Sequence, residues 1–342
     1  MRVLVTGGLG NVGSRAVRAL LAMGYEVVIF EHPSARQKRT RQSRALLGSA
    51  KGKLTIFYGD VSDAATMSAL GDFLQSKDVR AVLHLAGIIP PLATRAPELA
   101  QRINVEGTQN VIALCKHLPK PPRIVFASSI ALYGDRLANP WISAQDPLCP
   151  NDAYALTKQQ CEAMLQKGDL PWTILRLSYV VASDWPPLDP LLFEVPLATH
   201  FEVVHTEDAG RAFAAAWSTL ATEGRILNIG GGILCRTTYR AYLDRMMRAF
   251  GLGDSSFLSD DLFATRNFHC GWLTDSDEAE LLLNFRSKTL EDYYSEVAWR
   301  ERVIAPFAKV GAPFAKRWLR SLSPYRAKAG LARLERSVLE KP

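Results

Sequence analysis

The 342-residue chain lacks most of the features that mark a secreted, membrane-spanning or metal-built protein. Its five cysteines (Cys115, Cys149, Cys161, Cys235 and Cys270) contain no Cys-x-x-Cys pair and no even framework. They read as small buried hydrophobes in a reducing compartment, and no metal site is expected. No apolar run approaches the roughly 20 residues that a transmembrane helix needs. Met1 and Arg2 lead straight into Val3-Leu4-Val5, leaving no stretch for a cleaved leader, so a cytoplasmic protein is expected. No internal repeat is visible. With 48% apolar and 22% charged residues, wholesale disorder is excluded as well.

A one-sided charge is also missing from most of the chain. The net charge is +7, but residues 299–342 hold 11 Lys and Arg against 3 Asp and Glu. The remaining body holds 30 basic and 31 acidic residues and is close to neutral. A basic groove for nucleic acid is therefore not expected, and the positive charge belongs to a local role of the C-terminus.

What is present is an alternation of short apolar runs with amphipathic stretches. Strands are expected at 2–6, 26–30, 54–58, 81–85, 123–127, 173–177 and 225–229, and helices at 11–23, 63–75, 97–117 and 152–167. Strands that are apolar throughout, separated by helices, imply a parallel sheet covered on both faces. The expected fold is thus α/β: a Rossmann-type doubly wound sheet over 1–177. A smaller substrate lobe over 178–298 is interleaved with the last strand, and a basic amphipathic tail covers 299–342. Further helical patterns lie at 239–250 and 290–303.

Thr6-Gly7-Gly8-Leu9-Gly10-Asn11-Val12-Gly13 falls between the first strand and the first helix. Gly7 suits a tight turn, Gly10 a close approach of backbone to a pyrophosphate, and Gly13 the packing of helix on strand, with the phosphate at the helix N-terminus. Glu31 ends the second strand, where an acid accepts hydrogen bonds from the adenosine ribose and repels a 2′-phosphate. This favours NAD, although Arg36, Lys38, Arg39, Arg41 and Arg44 follow closely and keep NADP open.

The glycine pattern, Asp60-Val61 after the third strand, His84-Leu85-Ala86-Gly87 after the fourth and Tyr154-Ala155-Leu156-Thr157-Lys158 together resemble the extended short-chain dehydrogenase/reductase superfamily. More narrowly, they resemble its NAD-dependent epimerase/dehydratase branch, over about residues 1–230. The resemblance implies that Asp60 and Val61 border the adenine, and that Leu85, Ala86 and Gly87 line the path to the nicotinamide ribose. An alternative for Asp60 is the cap of the helix near Asp63. Tyr154 and Lys158, four apart on a helix, share one face, and the ammonium favours the phenolate. Ser129 stands where the family keeps its catalytic Ser or Thr, with Ser128 as the neighbour that would replace it. Asn104 is expected to order packing or a water, and Gly107, inside a helix, to allow a close contact.

Departures from the family narrow the chemistry. Ile130-Ala131 replaces the Asp-Glu that dehydratases carry after the catalytic residue. Leu177-Ser178-Tyr179 follows Leu175-Arg176 where sugar-nucleotide epimerases place Asn, and Phe201-Glu202 stands where they place a phosphate-binding Arg. An apolar wall including Tyr179, Val180, Trp185, Pro186, Leu191, Leu192 and Phe193 suggests an apolar or lipid-like alcohol or ketone. The expected activity is NAD(P)-dependent hydride transfer by Ser129, Tyr154 and Lys158 on a small-molecule substrate. A nucleotide-sugar epimerase using Arg236 or Arg240 for phosphate is the alternative, and a non-catalytic NAD(P)-binding module the outside one. A homodimer is expected. In the tail, Trp299, Val303, Phe307, Val310 and Phe314 keep a helical spacing among basic residues that continue to Lys328, Arg333, Arg336 and Lys341. The stripe suits either docking on the body or a second subunit, or peripheral contact with an anionic membrane.

Overall fold

In the computed structural model, which describes residues 1–34, 53–182, 190–266 and 268–326, each expected strand of the sheet forms. In chain order the strands are β1 (Arg2–Thr6), β2 (Glu26–Glu31), β3 (Leu54–Tyr58), β4 (Val79–His84), β5 (Arg123–Ser129) and β6 (Trp141–Ile142). They continue with β7 (Trp172–Leu177), β8 (Tyr179–Val181), β9 (His200–His205), β10 (Arg225–Ile229), β11 (Arg236–Thr238) and β12 (Trp272–Leu273). Seven form one sheet in the order β10-β7-β5-β4-β1-β2-β3, with every pairing parallel. The fold is the Rossmann-type doubly wound sheet that the alternating pattern implies.

The pleat explains why these strands carry so few polar residues. Val3 and Val5 point into one apolar layer with Leu20, Ile29 and Phe213, while Leu4 points into the other with Phe30, Leu70, Phe126 and Ile174. Helices α1 (Asn11–Ala22), α2 (Ala64–Leu74), α3 (Gly107–His117), α4 (Ala153–Lys167) and α5 (Thr206–Ala216) cover the two faces. The helix expected over 97–117 is not continuous. A short α-turn (Pro97–Ala100) passes into a π-helical stretch (Gln101–Glu106) before α3 begins at Gly107. One extra residue per turn leaves the Asn104 carbonyl to accept from Thr108 Oγ1 (2.6 Å) and Cys161 Sγ (3.2 Å).

Beyond Leu177 the Pro-rich sequence conceals short strands. β8 pairs with β9 in parallel and β11 with β9 antiparallel, while β12 pairs with β6. With α6 (Tyr239–Ala249) and α8 (Leu290–Glu301) they surround a third, aromatic-rich core containing Phe193, Phe201, Tyr239, Tyr242 and Tyr293, while α7 (Ser276–Leu283) packs Ala279 and Leu283 into the sheet core. Two helices follow, α9 (Ala305–Val310) and α10 (Ala312–Ser321). Among the described residues no helix is long and apolar enough to cross a membrane.

Candidate active site

The strand order reverses direction between β1 and β4, which leaves a crevice at the carboxyl ends of the strands. The glycine loop lies there. Gly7 adopts φ +69°, and a Cβ on it would come within 2.9 Å of Ala86 N, so a side chain is excluded twice. A Cβ on Gly13 would strike the Gly7 carbonyl. Gly10 caps α1 without any side-chain bond, and the first turn, which includes Asn11 and Val12, holds no acid. Among the described residues the cap gives its N–H groups no side-chain acceptor, the condition a helix N-terminus needs to receive a diphosphate.

Glu31, only 9% exposed, accepts from Leu9 N (2.9 Å) and from His32 N (3.2 Å). It thus fastens the end of β2 to the glycine loop, a contact that the sequence did not reveal. The basic run Arg36, Lys38, Arg39, Arg41 and Arg44 lies outside the described residues. Asp60 does not cap α2. Its carboxylate accepts from Ser62 N (2.9 Å) and Ser62 Oγ (2.8 Å), while Asp63 is the cap and accepts from Thr66 N (3.0 Å). Val61 is buried, and a Cβ on Gly107 would lie 2.8 Å from its Cγ1, which accounts for a glycine at that point.

Behind Leu85, Ala86 and Gly87 runs a buried chain of hydrogen bonds. Burial, and next the charge of Lys158, push the His84 imidazole down to about 3, so it is neutral at ordinary pH. Thr108 Oγ1 donates to the Asn104 carbonyl, so it accepts from His84 Nε2 (3.0 Å), and His84 Nδ1 accepts from Thr6 Oγ1 (2.7 Å). Thr6 Oγ1 in turn accepts from Ala86 N (3.2 Å). Asn104 accepts from Ile88 N (2.8 Å) and donates to Ile88 O (3.1 Å) and Thr157 Oγ1 (3.0 Å). It joins the segment after β4 to the helix that bears Tyr154.

Ser129 ends β5 and Tyr154 opens α4, where Asp152 caps the helix by accepting from Ala155 N (2.7 Å). Ser129 Oγ accepts from Ala131 N (3.1 Å), and its hydroxyl lies beside the Tyr154 phenol, where it favours the ionised form. Burial pushes that phenol up to about 12 against the opposing influence of the neighbouring Ser129 hydroxyl. Lys158 is buried, donates from Nζ to Ala127 O (2.7 Å) and lies 5.8 Å from the centre of the Tyr154 ring. Burial lowers its pKa. Ser128 is engaged elsewhere, donating to Glu162 (2.5 Å).

Glu162 belongs to a network that the sequence reading missed. It forms a two-point pair with Arg176, Nε to Oε1 (3.0 Å) and Nη2 to Oε2 (2.7 Å). Arg176 also donates to Tyr133 OH (2.8 Å), which donates to Asn228 Oδ1 (2.7 Å). Asn228 donates to Asp275 (2.9 Å), and Asp275 accepts from Ala144 N (2.6 Å). Its only sequence signal is Glu162 one turn beyond Lys158 and adjacency to Ser129 through Ser128.

On the substrate side, β5 and β7 run in register with Ser129 opposite Leu177, which brings Ser178 and Tyr179 next along the chain beside Ser129. Tyr179 is half-buried and meets Phe201 edge-on at 5.1 Å. Val180 packs against the sheet core, Phe193 and Leu192 belong with the lobe core, and Trp185 and Pro186 lie outside the described residues. Glu202 does not repel ligands from the crevice. It is fully buried and accepts from Gly232 N, Ser276 Oγ, Leu273 N and Arg236 Nε. Arg236 is thereby committed to Glu202, and Arg240 pairs with Asp260. A groove of about 800 Å³ lined by His205, Arg211, Lys288, Glu296 and Trp299 contains none of these crevice residues.

Residues 3–187 match the sequence profile described as "NAD dependent epimerase/dehydratase family". The chain is 29% identical over 181 residues to D-erythronate dehydrogenase of Cupriavidus necator, covering 52% of this chain and 54% of that one. It is 33% identical over 183 residues to UDP-glucose 4-epimerase 2 of Oryza sativa subsp. japonica, covering 52% and 43%. The chain thus spans about half the length of these curated relatives. A structure of UDP-glucose-4-epimerase from Stenotrophomonas maltophila with bound NAD and formylated UDP-arabinopyranose superimposes with a TM-score of 0.71 at 21% identity. That match covers 90% of this chain and all of that one. With its profile match covering more than half of the sequence, the chain belongs to the NAD-dependent epimerase/dehydratase family.

Proposed function

We propose that the protein is an NAD-dependent oxidoreductase that moves hydride to or from a secondary alcohol or ketone. The observation that carries this reading is the meeting of the Ser129 hydroxyl and Tyr154 phenol, with Lys158 one turn away, beside an uncapped helix behind a glycine loop. Gly7, Gly10, Asn11, Val12 and Gly13 would hold the diphosphate, Glu31 the adenosine ribose, and Asp60 and Val61 the adenine edge. Leu85, Ala86, Gly87, Tyr154 and Lys158 would hold the nicotinamide end. The cofactor, when bound, would accept the hydride in its oxidised form and donate it in its reduced form. In oxidation Tyr154, as phenolate, takes the proton of the substrate hydroxyl while Ser129 holds the same oxygen with a hydrogen bond. The buried phenol starts near 12, so the ammonium of Lys158 has to offset the cost of burying a phenolate.

The substrate we propose is apolar or lipid-like, touching Ser129, Tyr179 and Val180; Trp185, which the sequence also assigns to it, lies outside the described residues. Its support is the fate of the arginines: Arg236 is held by Glu202 and Arg240 by Asp260, and Phe201 sits in an aromatic core. A nucleotide-sugar epimerase is the second reading, favoured by the likeness to UDP-glucose 4-epimerases. Purified protein tested with apolar secondary alcohols and ketones, and with nucleotide sugars, separates the two by nicotinamide absorbance. Net reduction of added NAD by an alcohol supports the first; turnover of a nucleotide sugar alone, without net reduction, replaces it with the second. We also propose a homodimer and peripheral contact with an anionic membrane. For the former, Leu156 (46% exposed) and the Gln101–Gln160 bond offer a surface on α4, and a solution mass near twice 37.8 kDa is the check.

A further inference from the structure

The helices after α8 divide the apolar residues of the tail in two. A small aliphatic set docks. Leu319 is 1% exposed, Ala312, Ala315 and Leu322 pack against the lobe core, and Ser323 Oγ donates to Leu262 O (2.6 Å). Farther on, Tyr325 OH donates to Glu194 (2.6 Å). The large residues do not dock. Trp299 is 67% exposed, Val303 64%, Ile304 50%, Phe307 75%, Phe314 81% and Trp318 50%. They include both strongly exposed phenylalanines of the described residues, within a stretch of 20 positions. Scattered exposed apolar residues need no explanation; a concentration of aromatic ones does.

Charge identifies the occupant. Between residues 299 and 326 there are seven Lys and Arg and a single acid, Glu301, which is 3% exposed. Arg302, Arg317 and Arg320 are exposed among the aromatic residues, and the Arg302 guanidinium lies 3.7 Å from the centre of the Trp299 ring. A two-fold contact would bring this surface against its own copy, positive on positive, with no exposed acid within residues 299–326 to pair. The rest of the chain is near neutral in net charge, so the excess positive charge belongs to this segment. A surface of anionic headgroups over hydrocarbon meets both halves of the pattern: Trp and Phe settle at the boundary while Arg and Lys take the field. The helices are too short to cross, so the contact is lateral.

We infer that the exposed face of Trp299–Trp318 docks the protein on an anionic lipid bilayer. The inference concerns a different surface from the crevice and does not depend on which reaction occurs there. The test is co-sedimentation of the full chain with phosphatidylcholine vesicles, alone or with about one-third phosphatidylserine. Binding is expected only to the anionic vesicles at low salt, weakening about tenfold or more at about 0.5 M salt. Phe307→Ser with Phe314→Ser, and separately Arg317→Glu with Arg320→Glu, should each weaken binding about tenfold or more while leaving the unfolding midpoint unchanged. No sedimentation with anionic vesicles at low salt, or undiminished binding by both double variants, overturns the inference. A solution dimer that the phenylalanine variant splits, without vesicle binding, also overturns it and assigns the face to a second copy.

Discussion

Tyr154 carries the sharpest consequence at the scale of one residue. Tyr154→Phe removes only the hydroxyl that Ser129 contacts, so turnover should fall by about 10²–10⁴-fold while NAD affinity, followed by fluorescence titration, stays within about twofold. Because burial holds the phenol near 12, alcohol oxidation should speed up as pH rises and the phenolate fraction grows. Lys158→Met should push that rising limb to still higher pH and also weaken NAD binding. Glu31→Ala should raise the use of NADP relative to NAD by removing charge repulsion; a wild type that already prefers NADP contradicts the role proposed for Glu31. His84 gives a prediction for stability instead. Its folded pKa, about 3, lies below the unfolded 6.5, so below pH 6.5 the unfolded chain binds a proton that the native chain refuses. Stability from this site is intact above pH 6.5 and falls as pH drops toward 3, by roughly 1.4 kcal/mol per pH unit across the window. Urea midpoints of wild type and His84→Gln between pH 7 and 5 should show a shallower pH slope in the variant.

The elements are held by contacts that no single element specifies. Glu162 on α4 and Arg176 on β7 form an ion pair buried to 2% and 3% exposure, tied through Tyr133 and Asn228 to Asp275. Arg176→Met leaves the carboxylate without its cation and should cost about 3–5 kcal/mol in urea unfolding. Paired replacement, Arg176→Met with Glu162→Leu, should recover much of that loss, since it leaves no lone charge. Gly107→Ala tests a second contact: helix propensity favours alanine by ~1 kcal/mol, but its Cβ would press on Val61 at 2.8 Å. Net destabilisation of about 1–2 kcal/mol, read as a lower Tm, is expected if the contact prevails.

At the scale of the whole molecule, the tail is part of the fold and also its exposed positive edge. Removing residues 299–342 strips the net charge of +8 but also uncovers the lobe around Leu319, so truncation should lower Tm as well as abolish salt-sensitive surface binding. Trp318→Ser, at a half-exposed position, should leave Tm nearly unchanged, which separates the two roles. The body's charge balance predicts little retention on heparin once the tail is gone.

The sequence by itself determined the sheet, because apolar runs such as Val3-Leu4-Val5 have no stable place except a layer buried on both faces. It also determined the glycine loop, since Gly7 at φ +69° and Gly13 under the Gly7 carbonyl admit no side chain. The spacing of Tyr154 and Lys158 put them on one helix face without any tertiary information. Tertiary structure alone gave Ser128 its partner: Ser128 and Ser129 differ by one position in a strand, and the pleat sends Ser128 to Glu162 and leaves Ser129, the serine the family resemblance favours, beside the phenol. It alone bent the helix at Asn104 into a π turn, and it turned Glu202 inward to hold Arg236. The cause in each case is a partner far away in sequence, whose burial leaves a polar group with one place to bond. The tail shows the same division: its spacing revealed an apolar stripe, but only the packing of Leu319 and its small neighbours decided that Phe307 and Phe314 stay outside.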